Sequence, residues 1–263
     1  MILFNSILTD NKPIFEFQDR IRLGDGVFDT LLVIDGNMIH ADLHFERLID
    51  NAKMLHLNIY TNLQELKKDA AKLIESTESL KGRFALNTLI TRGAAKRGLM
   101  PDTQAQTNIA MSISETPSES PDIHATISKT VRRNEGSPIS QIKSCNYGDN
   151  ILALIEAQQN KANEVILLNN KGNVTCASAG NIFCCINDEL VTPPLSDGVM
   201  DGVTRKIVIQ KFKVIERSIS EDELLNSDGI YITNSIKGIM PVKSLNGNEI
   251  PLPSIKIDKN AHI

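Results

Sequence analysis

One lysine stands where a lysine can do chemistry. Gln141, Ile142, Lys143, Ser144, Cys145, Asn146 and Tyr147 run into a helix-like segment at 149–159. Lys143 therefore closes a short apolar run just before a helix, a position where a strand's last side chain faces a cleft rather than solvent. An amine held there can attack a carbonyl or carry a proton. Most lysines, however, are solvated surface charges, and the stretch by itself leaves both readings open. Metal chemistry is not indicated, because the four cysteines (Cys145, Cys176, Cys184, Cys185) show no CxxC spacing and no histidine grouping. Adjacent Cys184 and Cys185 would point to opposite faces of a strand. Reduced, partly buried thiols are expected.

The elements around Lys143 can be read in order. An apolar run at 2–8 and a polar turn at 9–13 suggest a hairpin, and the Gly-rich bend at 24–30 feeds a second one with its turn at Asp35 and Gly36. Asp42 is positioned to cap a helix with Leu43, Leu48, Ala52 and Leu55 near one face, Glu46 and Asp50 outside, and Arg47 beside the stripe. Thr61 with Gln64 predicts a capping box opening a second amphipathic helix, and Ser220 with Glu223 predicts another. Gly202, Val203, Thr204 and Arg205 start a helix. Asn234 and Ser235 read as a polar turn. The Ser-, Pro- and Glu-rich segment 115–122 buries little and reads as a linker between a smaller N-terminal α/β domain (1–114) and a larger C-terminal one (123–263). Strands and helices mix without strict alternation, so the expected class is α+β or irregular α/β.

Composition narrows the partners. The chain has 263 residues, 41% hydrophobic and 23% charged, with a formal charge of −4. Two modest cores fit in that length. No basic stripe is present to neutralise nucleic-acid phosphates, no window approaches the length of a membrane-spanning helix, and a cytoplasmic protein is expected.

Taken together and in order, the runs 24–30, 44–48, 92–98, 143–147, 174–183, 192–194, 202–205 and 233–242 resemble the fold type IV pyridoxal-phosphate enzymes, the group of branched-chain and D-amino-acid aminotransferases and 4-amino-4-deoxychorismate lyases. The resemblance implies a two-domain D-amino-acid-aminotransferase-like architecture, a homodimer, and pyridoxal 5′-phosphate as cofactor. It implies Lys143 as the Schiff-base lysine, carried by the C-terminal domain, which becomes the proton-moving base once substrate displaces it. Arg47, Val203, Thr204, Asn234 and Ser235 match phosphate-binding positions, and Tyr147 matches a hydroxyl approaching the cofactor's phenolic oxygen. Cys176 stands where the family places a glutamate against the pyridine nitrogen. A neutral thiol holds that nitrogen protonated far less well than a carboxylate does, which disfavours transamination.

Arg92 and Gly93, then three residues, then Arg97 and Gly98, together with the run 233–241, resemble the lyases most. The implied reaction releases pyruvate from 4-amino-4-deoxychorismate to give 4-aminobenzoate for folate biosynthesis. Thr30 is the matching candidate for assisting departure of the enolpyruvyl group, and Phe28 and Arg97 are candidates for binding substrate. An aminotransferase acting on D- or branched-chain amino acids is the alternative, and a non-catalytic cofactor-binding relative is a second one.

Overall fold

The computed structural model describes residues 1–10, 15–77, 80–102, 104–117 and 121–261. It divides into two units, Met1–Ser118 with Ile142–Asn146, and Glu119–Gln141 with Tyr147–Ile263. The mixed α/β class is as expected. Ile142–Asn146 is not where expected, since the segment that carries Lys143 belongs to the first unit rather than to the C-terminal one.

The first unit contains strands β1 (Ile2–Phe4), β2 (Ile7–Thr9), β3 (Gly26–Ile34), β4 (Asn37–Met38), β5 (Arg83–Thr91) and β6 (Asn108–Glu115), with helices α1 (Ala41–Met54) and α2 (Leu63–Glu75). The sheet order is β2-β1-β6-β5-β3-β4. β3 pairs antiparallel with β5 along its whole length, from Gly26 opposite Thr91 to Ile34 opposite Arg83. Period-two alternation puts Val27, Asp29, Leu31 and Val33 on one face of β3 and Phe28 and Thr30 on the other. The first face packs, with Leu86 and Ile90, against Phe45, Leu48 and Ala52 of α1 and Leu66, Ala70 and Leu73 of α2.

Burial rather than capping fixes α1. Phe45 and Leu48 are at most 1% exposed, and each such side chain contributes roughly 1.5–3 kcal/mol. A good N-cap contributes only ~1 kcal/mol. The N-cap is His40, in left-handed backbone with no side-chain cap bond, so Asp42 is not the cap but lies inside the first turn, where its charge complements the helix dipole. The capping box of α2, by contrast, falls one residue later than expected: Asn62 accepts from the backbone N–H groups of Gln64 and Glu65, and Glu65 returns a bond to Asn62. Asparagine outranks threonine as a cap. The first hairpin turns at Asn5 and Ser6, both at positive φ. The expected turn at 9–13 is replaced by strand at Thr9, and residues 11–14 lie outside the described residues.

The edge of β3 not taken by β5 is shared. β4 pairs with Val33 and Ile34, while Ile142–Asn146 pairs with the strand's first residues. There the Phe28 N–H donates to the Lys143 carbonyl and the Cys145 N–H to the Gly26 carbonyl, each at 2.9 Å. Ser144 bridges Val27, and Ile142 enters the core. Gly24 makes this approach possible. It sits at φ 70°, and a Cβ there would lie 2.4 Å from Asn146 Oδ1, so the glycine is required by both conformation and space.

The second unit contains β7 (Ile123–Arg133), β8 (Glu164–Asn169), β9 (Val174–Ala177), β10 (Asn181–Ile186), β11 (Glu189–Thr192), β12 (Val214–Glu216), β13 (Ile230–Asn234), β14 (Gly238–Leu245) and β15 (Asn248–Glu249), with α3 (Gly148–Gln159), α4 (Val203–Lys211) and α5 (Glu221–Leu225). The order is β12-β11-β10-β13-β14-β7-β8-β9, with β15 on β14. A bridge from Asn181 to Cys176 brings β9 back onto β10, so β10, β13, β14, β7, β8 and β9 form a ring around an aliphatic core. Cys184 joins that core while Cys185 packs with Val208 of α4 and Ile257, the opposite facing that alternation requires. The Ser220–Glu223 capping box opens α5 as predicted. Among the described residues no helix is long and apolar enough to cross a membrane.

Candidate active site

In the first unit Lys143 is half-buried, with its Nζ 4.5 Å from the centroid of the Phe28 ring. A cation over an aromatic face is held by the ring quadrupole, worth roughly 0.5–2 kcal/mol. Two of the sequence candidates are thereby in contact. Thr30, two residues on and on the same face of β3, is half-buried and accepts a hydrogen bond from Asn87 Nδ2 at 2.9 Å.

The opposite face of β3 carries a group that the sequence did not announce. Asp29, 2% exposed, takes four hydrogen bonds: His44 Nδ1 (2.7 Å), Arg47 Nη2 (2.8 Å) and the Thr30 N–H (2.7 Å) on Oδ1, and Arg47 Nε (2.8 Å) on Oδ2. Burial alone would push this carboxyl up, but the Arg47 charge and the His44 bond outweigh it and hold Asp29 well below the usual carboxylate range. Burial holds His44 below its ordinary value against the pull of Asp29. His44 is therefore neutral near pH 7, and since Asp29 is ionised the His44 hydrogen is on Nδ1. Arg47 is a buried guanidinium gripped in two places by one carboxylate, not a solvated helix charge. The available signal was an acid at an inward position of an otherwise apolar alternation, which a buried cation must explain.

Of the two arginines in the loop 92–98, Arg97 is exposed and makes no hydrogen bond or ion pair with described residues, while Arg92 is buried. Arg92 binds both oxygens of Asp25 and the carbonyls of Leu55 and His56, and Arg20 joins the same carboxylate at 2.6 Å. Arg92 thus secures the Gly-rich turn.

In the second unit, α4 begins at Gly202 with no side-chain cap and no acid in its first turn. A Cβ at Gly202 would lie 2.0 Å from Asn181 Oδ1, so any side chain there would displace the buried Asn181 amide, which donates to the Met200 carbonyl. Val203 and Thr204 are buried, and Thr204 Oγ1 is 3.4 Å from Ser235 Oγ. Asn234 is committed to its loop, accepting from the N–H groups of Ile236 and Lys237 and donating to the Ala179 carbonyl at 2.7 Å. Tyr147 is half-buried at the N-cap of α3. Cys176 packs with Val131, Ala153, Ala157, Val165 and Leu167, and burial pushes its thiol up, so it is neutral.

Each unit by itself carries groups that suit part of pyridoxal phosphate. Uncapped helix N–H groups, the dipole and two neighbouring hydroxyls form the donor set a phosphate needs, and the first unit presents an amine over an aromatic ring. Among the described residues no group of three or more His, Cys, Asp or Glu could hold a metal.

The comparisons agree with this chemistry. The model of the family "Amino-transferase class IV" matches residues 26–245. The chain belongs to that family, and so to the fold type IV pyridoxal-phosphate enzymes. It is 29% identical to a candidate branched-chain-amino-acid aminotransferase of Methanocaldococcus jannaschii, over 95% of this chain and 89% of that one. It is 26% identical to the aminodeoxychorismate lyase of Bacillus subtilis, over 92% and 85%. The branched-chain amino acid aminotransferase structure of Escherichia coli superposes with a TM-score of 0.90 at 21% identity, over 99% of this chain and 91% of that one, and shows the fold alone.

Proposed function

We propose that this class IV enzyme is a 4-amino-4-deoxychorismate lyase, working as a cytoplasmic homodimer. The observation that carries the reading is that Phe28, whose ring holds the Lys143 amine, and Thr30, whose hydroxyl is fixed by Asn87, share one face of β3. An elimination needs a base for the C–H bond that breaks and a proton for the oxygen that leaves. When bound, pyridoxal phosphate supplies an electron sink for the carbon bearing the substrate's amine. Lys143 accepts the proton from that carbon, the C–O bond to the enolpyruvyl group breaks, and Thr30 gives its proton to the departing oxygen, the proton held by Lys143 then replacing it on Thr30 through solvent. Pyruvate leaves and an aromatic ring results, so aromatisation provides much of the driving force. Arg97 meets a substrate carboxylate, and Val203, Thr204, Ser235 and the loop shaped by Asn234 hold the phosphate, with Arg47 and Tyr147 as further contacts.

Incubation of the holoenzyme with aminodeoxychorismate is expected to yield 4-aminobenzoate and pyruvate, with no amino transfer to 2-oxoglutarate. Amino transfer from D- or branched-chain amino acids without 4-aminobenzoate would favour the second reading, an aminotransferase, which the relative from M. jannaschii supports. The neutral Cys176 argues the other way. In Cys176→Glu a carboxylate replaces the thiol, and the visible band of the bound coenzyme is expected to shift while amino transfer from amino acids becomes measurable. An unchanged spectrum separates residue 176 from the ring.

A further inference from the structure

The face of β3 that carries Phe28 and Thr30 continues across the sheet through the ladder register. Thr30 stands opposite Asn87 of β5, and Asn87 opposite Ser112 of β6. This polar row runs beside an apolar one, Phe28, Leu89 and Ala110. Within the polar row Asn87 Nδ2 donates to Thr30 Oγ1 at 2.9 Å. A hydroxyl has one hydrogen and two lone pairs. Once a lone pair accepts from the amide, the hydroxyl hydrogen has to point elsewhere, because hydrogen aimed at an N–H donor is repelled. The ladder holds both backbones, so the orientation is built into the sheet and costs no reorganisation when substrate arrives.

We propose that Asn87 is a positioning residue that sets Thr30 as a hydrogen donor, so that Thr30 delivers its proton to the oxygen of the departing enolpyruvyl group. The inference rests on the lyase reading. Its chemistry is asymmetric: an amide at 87 can donate to Thr30, whereas an ionised carboxylate can only accept and would turn the Thr30 hydrogen toward itself. A protonated carboxyl can donate again.

Asn87→Asp, Thr30→Ala and the double variant are compared as holoenzymes by 4-aminobenzoate release between pH 5 and 9. Binding of chorismate, which carries the enolpyruvyl ether but lacks the amine, is followed by calorimetry. Well above the carboxyl range, Asn87→Asp is expected to lower kcat about 10- to 100-fold with KM raised no more than about fivefold, and the deficit relative to wild type shrinks as pH falls toward 5. Asn87→Gln, which keeps the donor, recovers at least half of the loss on a logarithmic scale. In the Thr30→Ala background Asn87→Asp has no further effect, and each single variant weakens chorismate binding by the same factor, about fivefold. A pH-independent deficit, or an equal loss with and without Thr30, overturns the role of Asn87 while leaving the lyase reading intact. No 4-aminobenzoate from the wild-type enzyme overturns both.

Discussion

Lys143→Ala is expected to abolish the visible absorbance of the bound coenzyme and to lower turnover by at least about 10³-fold, the combined loss that removing a covalent anchor and a positioned base would bring. The structural cost is small by comparison, because residue 143 holds its place through the backbone: its carbonyl accepts from Phe28 and its neighbour Ser144 bridges Val27. Among its contacts the side chain gives up the one with the Phe28 ring, worth ~1 kcal/mol. Lys143→Arg separates the two contributions, since it keeps a cation over the ring and removes the nucleophile. Both variants are expected to unfold near the wild-type temperature and to lack the coenzyme band. Retention of that band in Lys143→Ala would remove Lys143 from the chemistry altogether.

How Lys143 comes to be there marks what the sequence could and could not say. Its placement at the end of an apolar run before a helix was legible, since the run Ile142 to Cys145 bonds to β3 and α3 begins at Gly148. Its membership of the first unit was not, because pairing between residues 28 and 143 leaves no local pattern. For Asp29 the acid in an apolar alternation was legible, but its partner was not. Phe28 and Thr30 were visible as candidates, but the inward face of β3 reads as core, and only the fold shows that Arg47 reaches the acid from α1. Adjacent competing caps explain the shift from Thr61 to Asn62, and a left-handed Asn5–Ser6 turn hidden inside an apolar run explains the first hairpin. The Gly202 turn was legible because its signal is local: a glycine before a helix with no acid in the first turn.

Asp29→Asn destabilises the first unit by roughly 3–5 kcal/mol, the usual consequence of leaving a buried charge without its partner. Arg47 keeps its charge at any accessible pH, and a neutral amide offers one acceptor oxygen where the carboxylate receives four donated bonds through two. Whichever oxygen position the amide nitrogen takes, its N–H groups face a donor N–H of Arg47. The pH dependence follows from the same geometry. Asp29 has a folded-state pKa below its unfolded value, so its contribution is complete above roughly pH 3.9, the ordinary value for an aspartate, and is lost as pH falls below that toward the folded value. Urea unfolding of the apoenzyme between pH 6 and 2.5 is expected to show the wild-type protein losing its advantage over Asp29→Asn in the acid part of that range. Replacing both partners by apolar residues, Asp29→Leu with Arg47→Met, is expected to cost less than the two single substitutions added together, because no unpaired charge remains. Additive costs would show that the two side chains act independently, contrary to the paired bonds between them. The apolar pair is also expected to bind pyridoxal phosphate more weakly while folding, which distinguishes the role of Arg47 as an anion contact from its role in the core.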